Sequence, residues 1–544
     1  MSEEMSRHTD LHSHMRSIDK SVWGPMIKQT HDPQSSQRQV LNEILAKNAN
    51  TAFGKEHDFD LIQSYEDYRA AVPIYTYEEF RPYIEAQERT KECRLTIEQP
   101  VAYAQTSGTT GVPKNIPILE STIGVLSRHQ QLTTFAQYQG LPTIFDGKIL
   151  VLSSARAEGA LETGTPYGSM SGFLHELLPD FIRDKAVLPP EVLRIEEYDR
   201  KYIAIAAHAL AEPNLSLIAT ANPSTVIKLF DVIRENLAVL IELLPLKDKP
   251  VFHVNIPMPH PQPSRITELE KFLEQQAHLT LGSFWPGLRA LVTWTGGSCA
   301  ALLPRVQALL PPKTEVIEMG YLSSELAGSV NIDVRSNRCI PTFYDNFFEF
   351  VEEGNWEDDD APVLTLAQVE EGKRYYVIVT TRNGLYRYCM NDIIEVTGWF
   401  NQTPTIQFVQ KGKGVTNLTG EKLYEHHVTT AVEAIRQEYG IAFGFFLMLA
   451  DPVRLEYTMC IEHPVLNEGV MHRLDSQLSM LNIEYKVKRE SGRLQPLKVL
   501  YVKDGTSESY KRHCLAEGQR EAQYKVVRLQ YVKDCSFDFY SYAR

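Results

Sequence analysis

Between about residues 100 and 330 the chain alternates short apolar runs with amphipathic stretches. GKILVLSS (147–154), RALVTWTGG (289–297) and TEVIEMGYLSSE (314–325) are of the first kind. STVIKLFDVIRENLAVLIELL (224–244) and ALLPRVQALL (301–310) are of the second. Strands interleaved with helices predict an α/β domain, with glycines at the strand ends where such folds bind ligands. Upstream, SQRQVLNEILAKNAN (36–50) carries Val40, Leu41, Ile44 and Leu45 at helical spacing. The polar residues before it, ending in HDPQSSQ, predict a loosely held lead-in. His8, His12 and His14 lie close together there, but without a fourth ligand they read as a solvated segment before a metal site.

After residue 340 the pattern changes. FFEFVEE (347–353), RYYVIVTT (374–381) and DIIEVTGWF (392–400) predict antiparallel strands joined by turns, and the acidic EDDD (357–360) a solvated hairpin end. QKGKG (410–414) predicts a hinge between an N-terminal domain, 1–409, and a smaller α+β C-terminal domain, 415–544. In the latter, a helix is expected near 422–438 and a buried strand in IAFGFFLMLA (441–450). VLYVKDGTS (499–507) and LQYVKDCS (529–536) echo each other as similar strands, too few copies for a solenoid.

Composition narrows the function by exclusion. The 544 residues carry 55 basic and 69 acidic side chains, a net charge of −14. That disfavours a general nucleic-acid or anionic-membrane binder, whose affinity comes from clustered Lys and Arg. The longest apolar stretch is half of the roughly twenty residues a bilayer demands, and MSEEMSRHTD lacks the basic start and apolar core of a secretory signal. Seven scattered cysteines form no C-x-x-C pair, which predicts neither a disulfide framework nor a zinc knot. A cytoplasmic monomer acting on small molecules is the expectation.

The chemistry begins at TSGTTGVPK (106–114), where glycines let backbone N–H groups approach a ligand, hydroxyls donate and Lys114 supplies a cation. This is the composition of a polyphosphate-wrapping loop. A Walker loop is excluded. Pro113 and Asn115 stand where that motif needs Gly and Ser or Thr, and Pro117 between Ile116 and Ile118 predicts a strand instead of a helix. Two further stretches, GYLSSE (320–325) and GLYRYCMND (384–392), each place a carboxylate after an aromatic and glycine-containing turn.

Together the three stretches resemble the plant-type acyl acid–amido synthetases named for auxin-responsive promoters, within the adenylate-forming superfamily. The first family signature, Ser/Thr-Ser-Gly-Thr-Thr with a downstream lysine, matches Thr106 to Lys114. The second, Tyr-x-Ser-Ser-Glu, matches Tyr321, Ser323, Ser324 and Glu325. The third, Tyr-Arg-x-Gly-Asp, is met in altered form by Tyr386, Arg387, Tyr388 and Asp392, with Asn391 in place of glycine. VPIYTYEEFRPYIE (72–85), FWP (284–286) and FVQKGKGVTNLTGEKLYE (408–425) agree as well, so the resemblance runs from about 40 to 530.

The resemblance implies a large adenylate-forming domain with parallel and mixed sheets and a β-rich part, plus a mobile C-terminal domain. It implies ATP and Mg2+, a carboxylic acid and an amino acid as partners, and amide formation through an acyl-adenylate. Thr106, Ser107, Gly108, Thr109, Thr110 and Gly111 with Lys114 would hold the departing phosphates. Ser324 belongs to the same nucleotide site and Glu325 would bind magnesium. Tyr321 and the Gly296-Gly297 turn would line the adenine, and Asp392 would hold the ribose hydroxyls. EAQYKVVRLQ resembles the family's Gln-Tyr-Lys-Thr-Pro-Arg segment at Gln523, Tyr524, Lys525 and Arg528, which implies a catalytic Lys525 carried by the mobile domain. GTPYGSMSG (164–172) lies where the family builds part of its acyl pocket, with Tyr167, Met170, Phe173 and Trp294 as lining candidates. It misses the serine-hydrolase G-x-S-x-G by one position. An acyl-CoA ligase and a catalytically silent adenylate-binding homologue remain as alternatives.

Overall fold

The computed structural model describes residues 11–106, 114–153, 155–195, 197–245, 259–356, 358, 360–412, 414–416, 418, 421, 423–451, 453–490, 492, 494–517, 519, 521 and 524–544. The chain forms two units. The first holds residues 1–295, 302–390 and 394–407; the second holds 296–301, 391–393 and 408–544.

In the first unit the apolar runs become a parallel sheet in the order Lys148–Leu152, Leu215–Thr220, Ala290–Thr293, Glu315–Glu318. Strands buried on both faces read as continuous apolar runs, which is why the sequence displays them so clearly. The helix Ser224–Leu243 covers the sheet with Val226, Phe230, Ile233, Leu237 and Leu240, a stripe at three- and four-residue spacing. Trp285 of the FWP stretch is fully buried in the same core, its indole N–H donating to the Glu212 carbonyl at 2.9 Å.

A second sheet begins with the hairpin Ala102–Thr106 and Lys114–Ile118, antiparallel, with Thr106 opposite Lys114. The predicted strand through Pro117 is therefore present, and the helix Glu120–Gly140 starts directly after it. The β-rich part is a five-stranded sheet in the order Val363–Thr365, Phe347–Glu352, Arg374–Thr380, Tyr388–Phe400, Thr403–Lys411. Ser169 caps the helix Met170–Glu176 by accepting from the Gly172 N–H at 3.0 Å, the ordinary duty of a serine at that position.

The lead-in departs from expectation. From residue 11 it is helical, and Met15, Ile18, Trp23 and Met26 are buried. Trp23 packs on Phe135 of the 120–140 helix with ring centroids 5.2 Å apart. Its apolar residues are spread thinly among polar ones, so the pattern looked unstructured although each side chain finds the core. His12 bonds the Tyr138 hydroxyl and His14 lies against Phe181, while His8 falls outside the described residues.

The second unit is α+β. Its sheet runs Lys498–Val502, Glu456–Glu462, Phe446–Asp451, Leu529–Tyr531, so the two echoed segments form its opposite edges. The helices Glu425–Tyr439 and Glu468–Leu481 bury Val428, Val432, Ile435, Leu474 and Leu478 against it. Among the described residues no helix is long and apolar enough to cross a membrane.

Truncation of a buried tryptophan costs about 3–5 kcal/mol. Trp23→Ala is expected to destabilise the protein by that amount in chemical denaturation. A loosely held lead-in would leave the transition unmoved.

Candidate active site

Lys114 sits at the start of its strand with its side chain between two aromatic rings, 5.4 Å from the Tyr77 centroid and 5.9 Å from that of Tyr388. Tyr77 also grips the strand: its hydroxyl accepts from the Asn115 N–H at 2.7 Å and donates to the Asn115 carbonyl at 3.1 Å. Burial pushes the Tyr77 phenol up to about 12, so it stays a neutral donor. The Lys114 ammonium donates to the Tyr388 hydroxyl at 3.2 Å, and that hydroxyl donates to Glu325 Oε1 at 3.1 Å. The three motifs, far apart in sequence, thus meet through one phenol.

Glu325 is placed by its own turn. Glu318, at the end of the last parallel strand, accepts from the N–H groups of Thr295 at 2.7 Å and Gly320 at 2.8 Å. Gly320 has φ +98°, and a Cβ there would lie 2.8 Å from the Ser329 carbonyl oxygen. The Trp294 indole donates to the Gly320 carbonyl at 3.2 Å. Tyr321, buried, accepts from Gly328 and Ser329 N–H groups at 2.7 and 3.1 Å. Ser324 is buried, and Ser323 Oγ accepts from the Glu325 N–H at 3.2 Å. Asn383 ties this turn to the hairpin, donating to the Pro117 carbonyl at 3.3 Å and the Glu325 carbonyl at 3.4 Å.

The third motif needs a change of register. Tyr386 is fully buried, stacked on Phe53 at 4.8 Å, with its hydroxyl on the Leu95 carbonyl at 2.6 Å. Arg387 is buried in an ion pair with Glu349: its Nε lies 2.9 and 3.1 Å from the two carboxylate oxygens and its Nη2 2.9 Å from one. Its Nη1 donates to the Val72 carbonyl at 2.7 Å. Both residues are spent inside the protein. The family's spacing, an aspartate four residues after the tyrosine, is met by Tyr388 and Asp392. Cys389 then stands at the arginine position and Asn391 at the glycine, and Asn391 adopts the left-handed φ of +52° that a glycine would supply.

Gly296, Gly297, Asp392, Lys525 and Arg528 belong to the second unit. Gly297 has φ +58°, and a Cβ there would come within 2.9 Å of the Phe408 ring. Asp392 is buried. Lys525 lies with its ammonium 5.2 Å from the Phe408 centroid. Arg528 is buried, its guanidinium 4.4 Å from the Phe446 centroid and donating to the Phe446 carbonyl at 2.5 Å. The helix that starts at Glu425 places that carboxyl near both cations, yet burial outweighs them and pushes it up to about 7. Thr106 is described as a strand residue paired with Lys114. Ser107, Gly108, Thr109, Thr110, Gly111 and Gln523 fall outside the described residues.

Beside Glu325 lies a cleft whose walls include Ile118, Val125, Leu126, Met170 and Leu326. Of the four lining candidates only Met170 borders it. Tyr167 packs beside Gly159, Phe173 lies under Arg156, and Trp294 is bonded to Gly320.

The fold, a parallel sheet with mixed and β-rich sheets, is shared with a solved CoA ligase. The 2-hydroxyisobutyryl-CoA ligase in its postadenylation state superposes with TM-score 0.55 at 13% identity, covering 92% of this chain and 91% of that one. The match tightens for one family. The chain matches the GH3 family N-terminal domain over residues 24–314, the central domain over 339–411 and the C-terminal domain over 426–533. It belongs to the GH3 family. The GH3.15 acyl acid amido synthetase superposes with TM-score 0.83 at 20% identity over 95% of each chain. Indole-3-acetic acid-amido synthetase GH3.4 of Arabidopsis thaliana is 24% identical over 92% of this chain and 89% of that protein. The 4-substituted benzoates-glutamate ligase GH3.12 of the same plant is 21% identical over 92% and 93%.

Removing one partner of a buried ion pair costs about 3–5 kcal/mol. Glu349→Gln is therefore expected to lower stability on that scale in denaturant melts, whereas a surface pair would cost under about 1 kcal/mol. Glu425 supplies a pH test. Its folded carboxyl binds a proton more tightly than the ordinary value of 4.5, so its contribution to stability falls as pH rises from 4.5 towards 7. Glu425→Gln should melt progressively higher than the parent between pH 5 and pH 8. An equal difference at both ends would remove Glu425 from the ledger.

Proposed function

We propose that this chain is an ATP-dependent acyl acid–amido synthetase. A carboxylate oxygen of the acid attacks the α-phosphorus of ATP, the bond from that phosphorus to the bridging oxygen breaks, and pyrophosphate leaves. The amine of an amino acid then attacks the acyl carbon, loses a proton, and displaces AMP. The observation that carries this reading is the Lys114–Tyr388–Glu325 contact in a chain of this family. It gathers a cation for phosphate and a carboxylate beside an apolar cleft.

Each residue then has a task. Lys114, with Thr106, Ser107, Gly108, Thr109, Thr110 and Gly111, neutralises charge on the departing phosphates, where positioned donors count most. Gly296, Gly297 and Tyr321 border the adenine, Ser324 backs the same site, and Asp392 accepts from the ribose hydroxyls. The cleft beside Glu325 takes the acyl group.

Among the described residues no cluster of three or more His, Cys, Asp or Glu could hold a metal. Glu325 alone suits Mg2+ that arrives on the nucleotide, since this ion keeps several waters and binds through one or two carboxylates plus phosphates. When bound there it would offset negative charge on the phosphates. Lys525 comes from the smaller domain, with 410–414 as the hinge, to stabilise the charge of the adenylation transition state and to withdraw before the amine arrives.

Tyr388→Phe keeps the ring and deletes the hydroxyl that spaces Lys114 from Glu325. We expect it to raise the KM for ATP about tenfold, the loss of one charge-assisted hydrogen bond, with the acid's KM nearly unchanged. Equal changes in both would make Tyr388 a packing residue. Lys525→Ala should depress acyl-adenylate formation by roughly a hundredfold and spare amide formation from a pre-made adenylate. Incubation with ATP, a panel of acids, and either amino acids or coenzyme A tests the reaction itself. Amide with release of AMP and pyrophosphate is expected. A thioester as sole product, or no ATP–pyrophosphate exchange with any acid, overturns the proposal.

A further inference from the structure

In the second unit, one aromatic ring touches two groups to which the adenylation reading gives tasks. Phe408 stands near the end of the strand Thr403–Lys411. One edge of its ring meets the Gly296-Gly297 turn: a Cβ added at Gly297 would lie 2.9 Å from Cε1 and 3.2 Å from Cδ1. Only a residue without a side chain leaves that edge its room, and Gly297 also takes the left-handed φ of +58° that glycine tolerates. Over the same ring lies the Lys525 ammonium, 5.2 Å from the centroid. That is inside the roughly 6 Å at which the negative face of an aromatic ring attracts a cation.

The chain on either side of Lys525 is tied down. Tyr524 is buried, with the Lys511 ammonium 5.5 Å from its ring centroid. Arg528 is buried and donates to the Phe446 carbonyl at 2.5 Å. These anchors fix where the Lys525 side chain begins. They do not fix where it ends, because a lysine carries its charge on a flexible four-carbon stem. The Phe408 ring acts at that end. It also suits a cation that has chemistry to perform: a carboxylate would neutralise the ammonium, whereas a ring attracts it and supplies no counter-charge. The full charge then remains for the oxygens on which negative charge develops.

Resting on the reading in which Lys525 serves adenylation, we propose that Phe408 is a positioning residue for that lysine. The Gly297 turn holds the edge of the ring, and the face of the ring holds the ammonium beside the turn that borders the adenine. Phe408 precedes the 410–414 hinge and Lys525 follows it. The contact therefore belongs to the adenylating arrangement and is broken when the proposed rotation withdraws the lysine. An undirected attraction of this strength is suited to such a latch, since it biases the closed arrangement without locking it.

The test measures both half-reactions of the full chain with an acid it accepts: ATP–pyrophosphate exchange, and amide formation from the pre-made adenylate. Phe408→Leu and Phe408→Met keep apolar bulk and remove the aromatic face, and two shapes guard against one replacement that fails to fold. Each should lower kcat for exchange by roughly threefold to thirtyfold, with the KM for ATP nearly unchanged and amide formation spared. Phe408→Tyr, which keeps the face, should recover most of the rate. In a Lys525→Ala background, Phe408→Leu should cost nothing further, because the partner of the ring is already gone. Exchange at the parental rate in both replacements overturns the inference and leaves the Lys525 reading standing. So does a rise in the ATP KM alone, which would make the ring a packing surface for the nucleotide, or an equal loss in the Lys525→Ala background. If Lys525→Ala itself exchanges at the parental rate, the reading of Lys525 falls and this inference falls with it.

Discussion

A guanidinium and a carboxylate buried against each other, Arg387 and Glu349, anchor the part of the molecule on which the candidate site depends. Neither charge reaches water, and the Tyr65 hydroxyl adds a further hydrogen bond to the same carboxylate at 2.8 Å. The pair is fixed to the backbone as well. Arg387 has φ +44°, costly for a residue with a Cβ, and its N–H is held by Thr380 Oγ1 at 3.0 Å. Buried ion pairs often contribute little net stability, and a defined geometry is among their better-attested uses. Here the geometry is the left-handed turn from which the next residue, Tyr388, emerges.

The consequence lies in how Tyr388 treats its neighbours. A lysine and a glutamate left to themselves would close into a direct salt bridge and satisfy each other. A phenol that accepts from one and donates to the other instead bridges the two side chains. On the proposed reading, this arrangement would lower the cost of receiving a polyanion that needs both a cation and a carboxylate-bound metal. Catalysis by the family reaction then requires little covalent work from the protein, only charges standing where charge will develop.

Much of the architecture was legible because burial on both faces leaves continuous apolar runs. The parallel strands at 148–152, 290–293 and 315–318 and the helix at 224–243 stand out for that reason. The motifs were legible because glycines and hydroxyls crowd where backbone must approach a ligand. Other features carried no such sign. Arg387 stands inside a family motif, and only the distant Glu349 explains what its charge does there. The role of Glu318 depends on Thr295 and Gly320 being neighbours in space, which the strand end hinted at without stating. Pairings of this kind belong to tertiary contact and leave no period in the chain.

The central claim is that the acid is activated as an adenylate, and isotope transfer tests it most directly. An accepted acid labelled with 18O in both carboxylate oxygens is converted to product with ATP and the acceptor amine, and the nucleotide is analysed by mass spectrometry. Attack of the carboxylate on the α-phosphorus predicts AMP carrying one 18O atom per amide formed. Label in inorganic phosphate alongside ADP, or amide formed with unlabelled AMP, would contradict the account.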